Sequence, residues 1–423
     1  MTMFYDTRSR TFGDARTASP ERGAGSVSLP SPAPVFMFVT DTRFGLSDGT
    51  AWTATHGLSE RRWTRGVEAT YAGLVARLHP RRAEETLPVH TTFLVPLPDT
   101  VGIGGLMRHA VTIVTRLRRA VELADVVVVR VPSFTALPAA LLSKAMGVPL
   151  AVEVVGDGGE VALAGAVGRP RRLMSLILRT SSAFVVRRAK AVRYVTQRVL
   201  QERYPPGPRA RTIGVSSVVI DPSYHSTWSE STKSNSPTIV AVGSQDTRYK
   251  GHDVLIKAIP GLAARHPDVR VVLVGGGRDQ GRLRALAQDL DVAERVAFSG
   301  HLTDRRALHN ILTRAWVFVM PSLTEGLPRA LIEACSVGVP AVGASVGGVV
   351  EILPHHRCFP PNDIVALIER TSALLASASS RRDASRENLM VAQAYMPEHL
   401  SEKLHAWNKL LDGLTVGSIQ RRS

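Results

Sequence analysis

The sequence predicts an α/β protein of two doubly wound domains, each a parallel sheet covered by helices on both faces. Short Val-rich apolar runs alternate with longer stretches of helical spacing, and this alternation stops once and then restarts. Runs that are apolar at every position are typical of strands buried on both faces. The chain has 423 residues, and one hydrophobic core rarely serves more than about 300. Two domains are therefore expected.

The first half of the chain contains a polar tail and then five predicted strands. Residues 1–33 are rich in Ser, Pro, Gly and Arg and are predicted to be disordered. The strands are expected at residues 35–39, 91–95, 125–131, 150–155 and 191–195. Residues 105–124 have helical spacing, with one expected buried stripe formed by Val111, Val114, Leu117, Val121 and Leu123. Residues 34–220 are assigned to an N-terminal domain.

The second half begins after a polar stretch, residues 221–236, which is predicted to be the interdomain linker. Further strands are expected at residues 238–243, 269–275, 295–300, 316–321 and 340–345. Residues 237–396 are assigned to a C-terminal domain. Residues 397–423 contain a last amphipathic helix, for which packing back on the N-terminal domain is one expected arrangement.

Composition excludes several classes of protein. No apolar run reaches the roughly 18 residues of a membrane-spanning helix, and the first residues lack the apolar core of a signal peptide. Cys335 and Cys358 are the only cysteines, which excludes a disulfide scaffold and a four-cysteine zinc site. Two cysteines fit a reducing compartment, so a cytoplasmic protein is expected.

The formal net charge of +16 is concentrated in one segment. Residues 161–220 hold twelve Lys and Arg residues against one acid, Glu202. Such a segment attracts lipid headgroups or phosphorylated substrates, and no nucleic acid is expected because zinc-finger, ribonucleoprotein and homeodomain signatures are missing. Helical spacing there places four apolar residues, Met174, Leu176, Ile177 and Leu178, beside three arginines, Arg171, Arg172 and Arg179. Either this surface docks on the inner face of an anionic membrane, or the apolar residues are core and the arginines are solvated.

The segment 320–353 has the features of a phosphate site. A strand ends at Pro321, and Pro328 suits the first turn of a helix that Gly338 can end. Free backbone N–H groups at such a helix start attract a phosphate. Glu325 lies beside this position and Glu333 lies about one and a half turns inside the helix. Since carboxylates accept hydrogen bonds from paired hydroxyls, the pair suits a ligand with sugars around a phosphate. The alternative is one loop glutamate and one ordinary helical glutamate.

These residues carry a family resemblance. Glu325 and Glu333 form an E-x7-E pattern within EGLPRALIEA, and a GG-x-x-E pattern follows at Gly347, Gly348 and Glu351. VGSQDTRYKGHDVLIKAI, VVLVGGG and VAFSGHL precede them in order. Residues 237–355 thus resemble the retaining glycosyltransferase family 4, and the N-terminal half resembles, more loosely, bacterial capsular and exopolysaccharide transferases. The resemblance implies a GT-B fold, in which two Rossmann-like domains face each other across a cleft.

The resemblance also implies roles in binding a nucleoside-diphosphate sugar. Glu325 contacts the donor sugar, Glu333 contacts the ribose hydroxyls, and Lys250 grips the diphosphate; the alternative for Lys250 is an exposed turn lysine. Glu325 and Lys250, together with Asp157, are the expected catalytic residues. Many family members carry Arg where this chain has Ser244, and Arg248 is the expected substitute. The further donor-binding residues implied are Gly243, Ser244, Gly276, Gly277, Gly326, Leu327 and Pro328, together with His301 and Leu302, which lie where the base packs. A dinucleotide motif in the same glycine-rich loop would need Gly where the chain has Gln280.

The N-terminal half offers fewer candidate residues. Asp157 follows the strand at 150–155, where family members often carry a catalytic His or Asp, although a turn-forming Gly-Asp-Gly-Gly also explains it. Asp48 and Gly49 occupy the place of the family's acceptor-binding loop, without its usual double glycine.

The function expected from this resemblance is sugar transfer from a nucleoside diphosphate to an acceptor hydroxyl, with retention of configuration. The acceptor candidates include lipid-linked and polysaccharide precursors. No cofactor and no metal are expected, because no D-x-D motif is present and Lys, Arg and a helix start supply positive charge. Two alternatives stay open: a nucleotide-sugar epimerase of the same fold, and a non-enzymatic binding protein that uses the basic segment.

Overall fold

The computed structural model describes residues 34–47, 50–53, 71–78, 87–89, 93–100, 102–164, 170–216, 218–225, 228–302 and 304–419. The predicted tail, residues 1–33, lies outside the described residues. The two predicted acceptor residues, Asp48 and Gly49, also lie outside them.

The first sheet belongs to the N-terminal half. Within the described residues its strands are β1 (Val35–Ser47), β2 (Thr50–Thr53), β3 (Tyr71–Leu78), β4 (Leu87–Val89), β5 (Phe93–Leu97), β6 (Val126–Val131), β7 (Leu150–Val154), β8 (Ala191–Tyr194) and β9 (Arg211–Gly214). The parallel strands lie in the order β5-β3-β1-β6-β7-β8-β9, and β2 and β4 extend β1 as antiparallel partners. Its helices are α1 (Gly102–Arg108), α2 (Ala110–Leu123), α3 (Ala136–Ala145), α4 (Gly158–Leu163), α5 (Arg171–Arg188) and α6 (Val199–Arg203).

The second sheet is entirely parallel. It contains β10 (Thr238–Val242), β11 (Arg270–Val274), β12 (Val296–Gly300), β13 (Val317–Met320), β14 (Ala341–Ala344) and β15 (Cys358–Phe359), in the order β12-β11-β10-β13-β14-β15. Its helices are α7 (His252–Arg265), α8 (Gln280–Asp289), α9 (Arg305–Thr313), α10 (Arg329–Val337), α11 (Val349–Ile352), α12 (Ile364–Ala376) and α13 (Ala378–Gln393). The strand order reverses between β10 and β13, as in Rossmann-type sheets, so a ligand is expected at the carboxyl ends of these strands.

The fold class expected from the sequence is confirmed, since both sheets are of the doubly wound type. All ten predicted strands are present, whereas β2, β3, β4, β9 and β15 were not predicted. The positions of β9 are exposed or half-buried, and β15 has two residues, so neither produces a long apolar run.

The expected buried stripe on residues 105–124 was partly wrong. Val111 is 81% exposed and Val114 is 43% exposed. The buried residues of α2 are Ile113, Leu117, Ala120 and Val121. These four recur every three or four residues, and they are centred on the side of the helix away from Val111. An apolar residue near a helical stripe is not necessarily part of it, because apolar side chains also occur on protein surfaces.

The linker and the last helix each pack on one domain. In the linker, Trp228 is buried against the C-terminal core and its Nε1 donates a hydrogen bond of 2.7 Å to the carbonyl oxygen of Ala315. Helix α14 (Pro397–Ile419) returns to the first sheet, where Trp407 and Leu411 share a buried cluster with Phe36. None of the described helices is long and apolar enough to cross a membrane.

Candidate active site

The loop after β13 holds the first predicted glutamate in a buried ion pair. Oε1 of Glu325 lies 2.7 Å from Nζ of Lys250 and accepts a second hydrogen bond of 2.7 Å from the hydroxyl of Ser322. The Glu325 side chain is 7% exposed. Burial disfavours the ammonium charge, but Glu325 and Tyr249 more than offset this effect and raise the pKa of Lys250. The structure therefore brings together two of the three predicted catalytic residues.

A buried histidine lies beside this pair. His252 is the first residue of α7, and its Nε2 lies 3.2 Å from the carbonyl oxygen of Gly243 at the end of β10. Burial, with a contribution from the charge of Lys250, lowers the pKa of His252 to about 4. The histidine is therefore neutral near pH 7 and adds no second positive charge beside the lysine.

Helix α10 positions the second glutamate. Pro328 precedes the helix as its N-cap residue, one position earlier than expected, and Gly338 ends the helix with φ 90°. Glu333 is half-buried, and none of the described residues donates a hydrogen bond to its carboxylate. Burial raises the pKa of Glu333, although Arg329 and Arg305 act in the opposite direction. A carboxylate with unused acceptor capacity at a partly buried position suits a ligand with hydroxyl groups.

A cavity adjoins Glu333. It lies between α9 and α10 and is closed on one side by Ile220 and by Asp221, the first residue of the linker. Its lining is mainly apolar, with Leu308 and Val337 among its residues, and Arg305 and Glu333 contribute charged groups. A mainly apolar cavity with a few polar groups is the usual form of a small-molecule site.

The predicted glycine-rich and base-contacting residues lie at the neighbouring strand ends. The carbonyl oxygen of Gly276 accepts a hydrogen bond of 2.9 Å from the backbone of Gln245, which joins the loops after β10 and β11. Gly277 accepts a backbone bond of 3.2 Å from Gln280 at the start of α8. His301 follows β12 and is exposed, and its backbone lies next to Gly276. The next residue, Leu302, packs against the C-terminal core.

The other two residues expected near the diphosphate, Ser244 and Arg248, are more exposed than the Lys250–Glu325 ion pair. The hydroxyl of Ser244 donates a hydrogen bond of 3.1 Å to Asp246. The Arg248 side chain is 63% exposed, and its Nε lies 4.0 Å from Asp279. Arg248 is thus in the same loop as Lys250 but extends toward solvent, where its guanidinium is accessible to an anionic ligand.

Asp157 lies at the end of β7, where it caps a helix. Its Oδ1 accepts hydrogen bonds from the backbone of Gly159 at 2.7 Å and from the hydroxyl of Tyr204 at 2.9 Å. Its Oδ2 lies 3.1 Å from Nε of Arg203. These contacts match the turn-forming alternative and hold Asp157 in place. Its predicted catalytic role remains a prediction.

The two domains touch at this point. An added Cβ on Gly326 would lie 1.9 Å from the carbonyl oxygen of Val155, so only glycine allows this approach between the loops after β13 and β7. Leu327 packs against the cores of both domains. Thr324 donates a hydrogen bond of 3.2 Å to Glu160, whose pKa is raised by burial and by the nearby Asp157.

Several residues of the site were not identified from the sequence. Ser322, Thr324, His252 and Glu160 have no distinctive spacing, and only the fold shows their contacts. Gln245 is fully buried, and within the described part of the chain neither atom of its side-chain amide has a hydrogen-bond partner. Such orphaned groups in native structures call for a ligand, an ordered water or another specific explanation. Its position in the loop after β10, next to Ser244, was the available signal.

No group of three or more His, Cys, Asp or Glu side chains that could hold a metal ion is present among the described residues.

The comparison with known families agrees with this geometry. Residues 226–389 match the family model described as Glycosyl transferases group 1, and this range includes Lys250, Glu325 and Glu333. This match covers most of the C-terminal domain. The chain is 29% identical over 281 residues to Protein CapJ of Staphylococcus aureus, an alignment that covers 66% of this chain and 70% of CapJ. The predicted resemblance to family 4 enzymes of capsular type is confirmed.

Two further comparisons involve a lipid-modifying enzyme and a solved structure. A Mycobacterium tuberculosis protein named GDP-mannose-dependent alpha-(1-6)-phosphatidylinositol monomannoside mannosyltransferase is 37% identical over 129 residues, 29% of this chain and 33% of its own length. The crystal structure of Anabaena HepE in complex with UDP superposes on this chain with a TM-score of 0.64 at 15% identity, covering 90% of this chain and 100% of HepE. This likeness establishes the GT-B fold.

Proposed function

We propose that the protein transfers a sugar from a nucleoside diphosphate to an acceptor hydroxyl with retention of configuration. The observation that carries this proposal is the contrast between the two glutamates. Glu325 is buried and paired with Lys250, whereas Glu333 accepts no hydrogen bond from the described residues and faces a cavity. One glutamate thus sits in a charged centre, and the other has acceptor capacity for a hydroxyl-bearing ligand.

The donor occupies the carboxyl ends of β10–β13 in this proposal. Its ribose hydroxyls donate to Glu333, its base lies near His301 and Leu302, and its diphosphate lies between the loop of Lys250 and the start of α10. Gly276 and Gly277 belong to the loop that approaches the diphosphate. HepE binds UDP and the mycobacterial relative is named for GDP-mannose, so UDP and GDP are the first nucleotides to test.

The transfer step needs charge stabilisation at the leaving group. The bond between the sugar C1 and the diphosphate oxygen breaks, and a bond from C1 to the acceptor oxygen forms on the same face. The proton of the acceptor hydroxyl passes to the departing diphosphate oxygen. Lys250, Arg248 and the dipole of α10 stabilise the negative charge that develops on the diphosphate. We propose that these groups replace a metal ion, and that no cofactor takes part.

We further propose a lipid-linked acceptor at the cytoplasmic face of a membrane. Helix α5 exposes Leu173, Leu176 and Ile177 by 49%, 60% and 40%. Arg171, Arg172 and Arg179 on the same helix are also exposed. The adjacent α4 begins at the Asp157 loop, next to the candidate site. An apolar and basic surface beside the cleft suits an anionic bilayer that presents the acceptor.

A nucleotide panel tests the donor site. Wild-type protein is mixed with UDP, GDP, ADP and their sugar conjugates, and binding is measured by thermal shift and calorimetry. We expect one base to bind, and Glu333→Ala to weaken that binding by about 1.5–3 kcal/mol, the range for hydrogen bonds to charged groups. Glu369→Ala, which removes an exposed glutamate on α12, is the matched control. Unchanged affinity in Glu333→Ala would remove Glu333 from the site.

The product determines the reaction class. Once the donor is known, NMR of the product formed with a lipid-linked acceptor is expected to show the anomeric configuration of the donor. An inverted product contradicts retention. Donor consumed without any acceptor, with a new sugar epimer, identifies an epimerase instead.

A further inference from the structure

Glu351 of the GG-x-x-E segment contacts the N-terminal domain rather than the cleft. It lies on α11, and its carboxylate accepts three backbone hydrogen bonds from the loop after β8 and the start of α6. Oε2 accepts from Gln197 at 2.7 Å, and Oε1 accepts from Arg198 at 2.9 Å and from Val199 at 2.7 Å. Hydrogen bonds to an ionised carboxylate are among the stronger ones in proteins. One side chain therefore joins the two domains.

The same segment is attached to the loop of the first glutamate. The backbone N–H of Gly348 donates a hydrogen bond of 2.7 Å to the carbonyl oxygen of Gly326. Gly347 has φ +46°, and an added Cβ there would lie 1.7 Å from the carbonyl oxygen of Glu325. This backbone packing leaves no room for a side chain, so α11 is held directly against the Glu325–Gly326 loop.

Helix α6 carries the connection on to the loop after β7. At its far end, Arg203 pairs with Glu160 at 2.8 Å, and Tyr204 donates its hydrogen bond to Asp157. Glu160 in turn accepts the hydrogen bond from Thr324, the neighbour of Glu325. The contacts form a closed ring around the cleft: the Glu325 loop, Glu351, α6, the Asp157 loop and back to Thr324.

We propose that Glu351 is a positioning residue for the transfer reaction. It holds the two domains in the relative orientation that brings an acceptor to the donor. The expected change in kcat rests on the proposed function, whereas the expected change in domain arrangement does not. Glu351 itself contacts no substrate. Its three hydrogen bonds set where α6, and through it the Asp157 loop, lies relative to Glu325.

Glu351→Gln is the informative substitution. The amide has nearly the same size, but it offers one acceptor oxygen where the carboxylate offers two, and its NH₂ group faces backbone donors. Glu202→Gln is the matched control, since Glu202 lies on α6 and its side chain is 69% exposed, 3.8 Å from Arg198. Three measurements apply: the radius of gyration by small-angle X-ray scattering, the Kd of the nucleoside diphosphate, and kcat and KM for transfer.

We expect Glu351→Gln to increase the radius of gyration and to leave the nucleotide Kd within about twofold of the wild-type value. We expect kcat to fall about tenfold or more, because a loss of that size corresponds to roughly one charge-assisted hydrogen bond. If Glu351→Gln has the same radius of gyration as the wild type, the inference is overturned. Loss of nucleotide binding in this variant also overturns it, because that result would place Glu351 in the donor site. Failure of transfer in the wild type affects the proposed function alone, because the scattering comparison needs no substrate.

Hydrogen exchange of the wild-type protein gives a test that needs no variant. The amides of Gln197, Arg198 and Val199 are expected to exchange slowly because they donate to Glu351. Exchange at the rate of unprotected amides would overturn the inference even if Glu351→Gln does not fold.

Discussion

At the scale of single residues, the candidate site depends on how buried charges are balanced. Lys250 and Glu325 stabilise each other's charged forms in a place where either alone would be costly. His252 avoids the same cost by remaining neutral. Glu333 has no such partner among the described residues, and burial raises its pKa, so its ionised form is less favourable in the folded protein than in the unfolded chain. This unfavourable environment is consistent with a group kept for a ligand rather than for stability.

His252 makes stability depend on pH. Its pKa falls from an ordinary 6.5 to about 4 on folding, so between these values the unfolded chain binds more protons than the folded one. Its contribution to the free energy of unfolding is therefore complete above pH 6.5 and is lost as pH falls toward 4. The shift corresponds to about 3 kcal/mol. Urea unfolding from pH 7 to pH 4 should show His252→Gln losing less stability than the wild type.

His356→Gln is the control for this experiment, because His356 is exposed on the same domain. We expect its pH profile to follow the wild type. Parallel profiles for wild type and His252→Gln would show that His252 titrates normally in the folded protein.

At the scale of secondary-structure elements, α5 supports parts of both interpretations of the basic segment. Met174 and Leu178 are buried with Ala162, as the core interpretation expects. Leu176 and Ile177 are exposed, as the docking hypothesis expects. One of the basic residues of the segment 161–220 is not at the surface, because Arg193 forms a buried ion pair of 2.9 Å with Glu153. The exposed face of α5 therefore contains fewer apolar residues than the docking hypothesis assumed, but it still combines apolar and basic side chains.

Vesicle flotation tests this surface. The protein is expected to float with anionic vesicles at low salt and less at high salt, because each basic residue near the surface contributes about 1 kcal/mol. The double variant Leu176→Ser/Ile177→Ser should weaken binding at least tenfold, since burying each apolar side chain contributes about 1.5–3 kcal/mol. Val365→Ser is the control, as Val365 is 65% exposed on α12. Protein that stays in solution with anionic vesicles at low salt contradicts membrane docking and favours a soluble acceptor.

At the scale of the whole molecule, the two sheets bring their loops together at one cleft. The loop of Glu325 comes from the second domain and that of Asp157 from the first, and they meet where Gly326 contacts Val155. In the proposed function, Lys250, Arg248 and the start of α10 supply the positive charge for a diphosphate at this cleft.

This arrangement predicts activity without a metal ion. Transfer by the dialysed protein should continue in excess EDTA at close to the untreated rate, because Lys250, Arg248 and the helix dipole stabilise the leaving diphosphate. Lys250→Met should lower kcat by about a hundredfold, the magnitude typical for loss of one group that stabilises transition-state charge. Complete loss of activity in EDTA, restored by Mg²⁺ or Mn²⁺, would show that a metal supplies this charge.

The sequence alone determined the fold class, the ten apolar strands and the glutamates of the E-x7-E pattern. These features are local: a buried parallel strand needs a continuous apolar run, and a helix start needs particular residues near its first turn. The edge strands were not predicted because partly exposed strands need no such run. Val111 and Val114 were misassigned because local spacing does not show which side of a helix faces the core.

Only the tertiary structure decided which residues act together. Glu325 and Lys250 are 75 positions apart, and Glu351 is about twice as far from the backbone groups that it binds. Their pairing depends on where strands end within a sheet and on how two domains approach, which no local pattern encodes. Burial likewise arises only when distant segments enclose a group, so the low pKa of His252 and the raised pKa of Glu333 are properties of the folded chain.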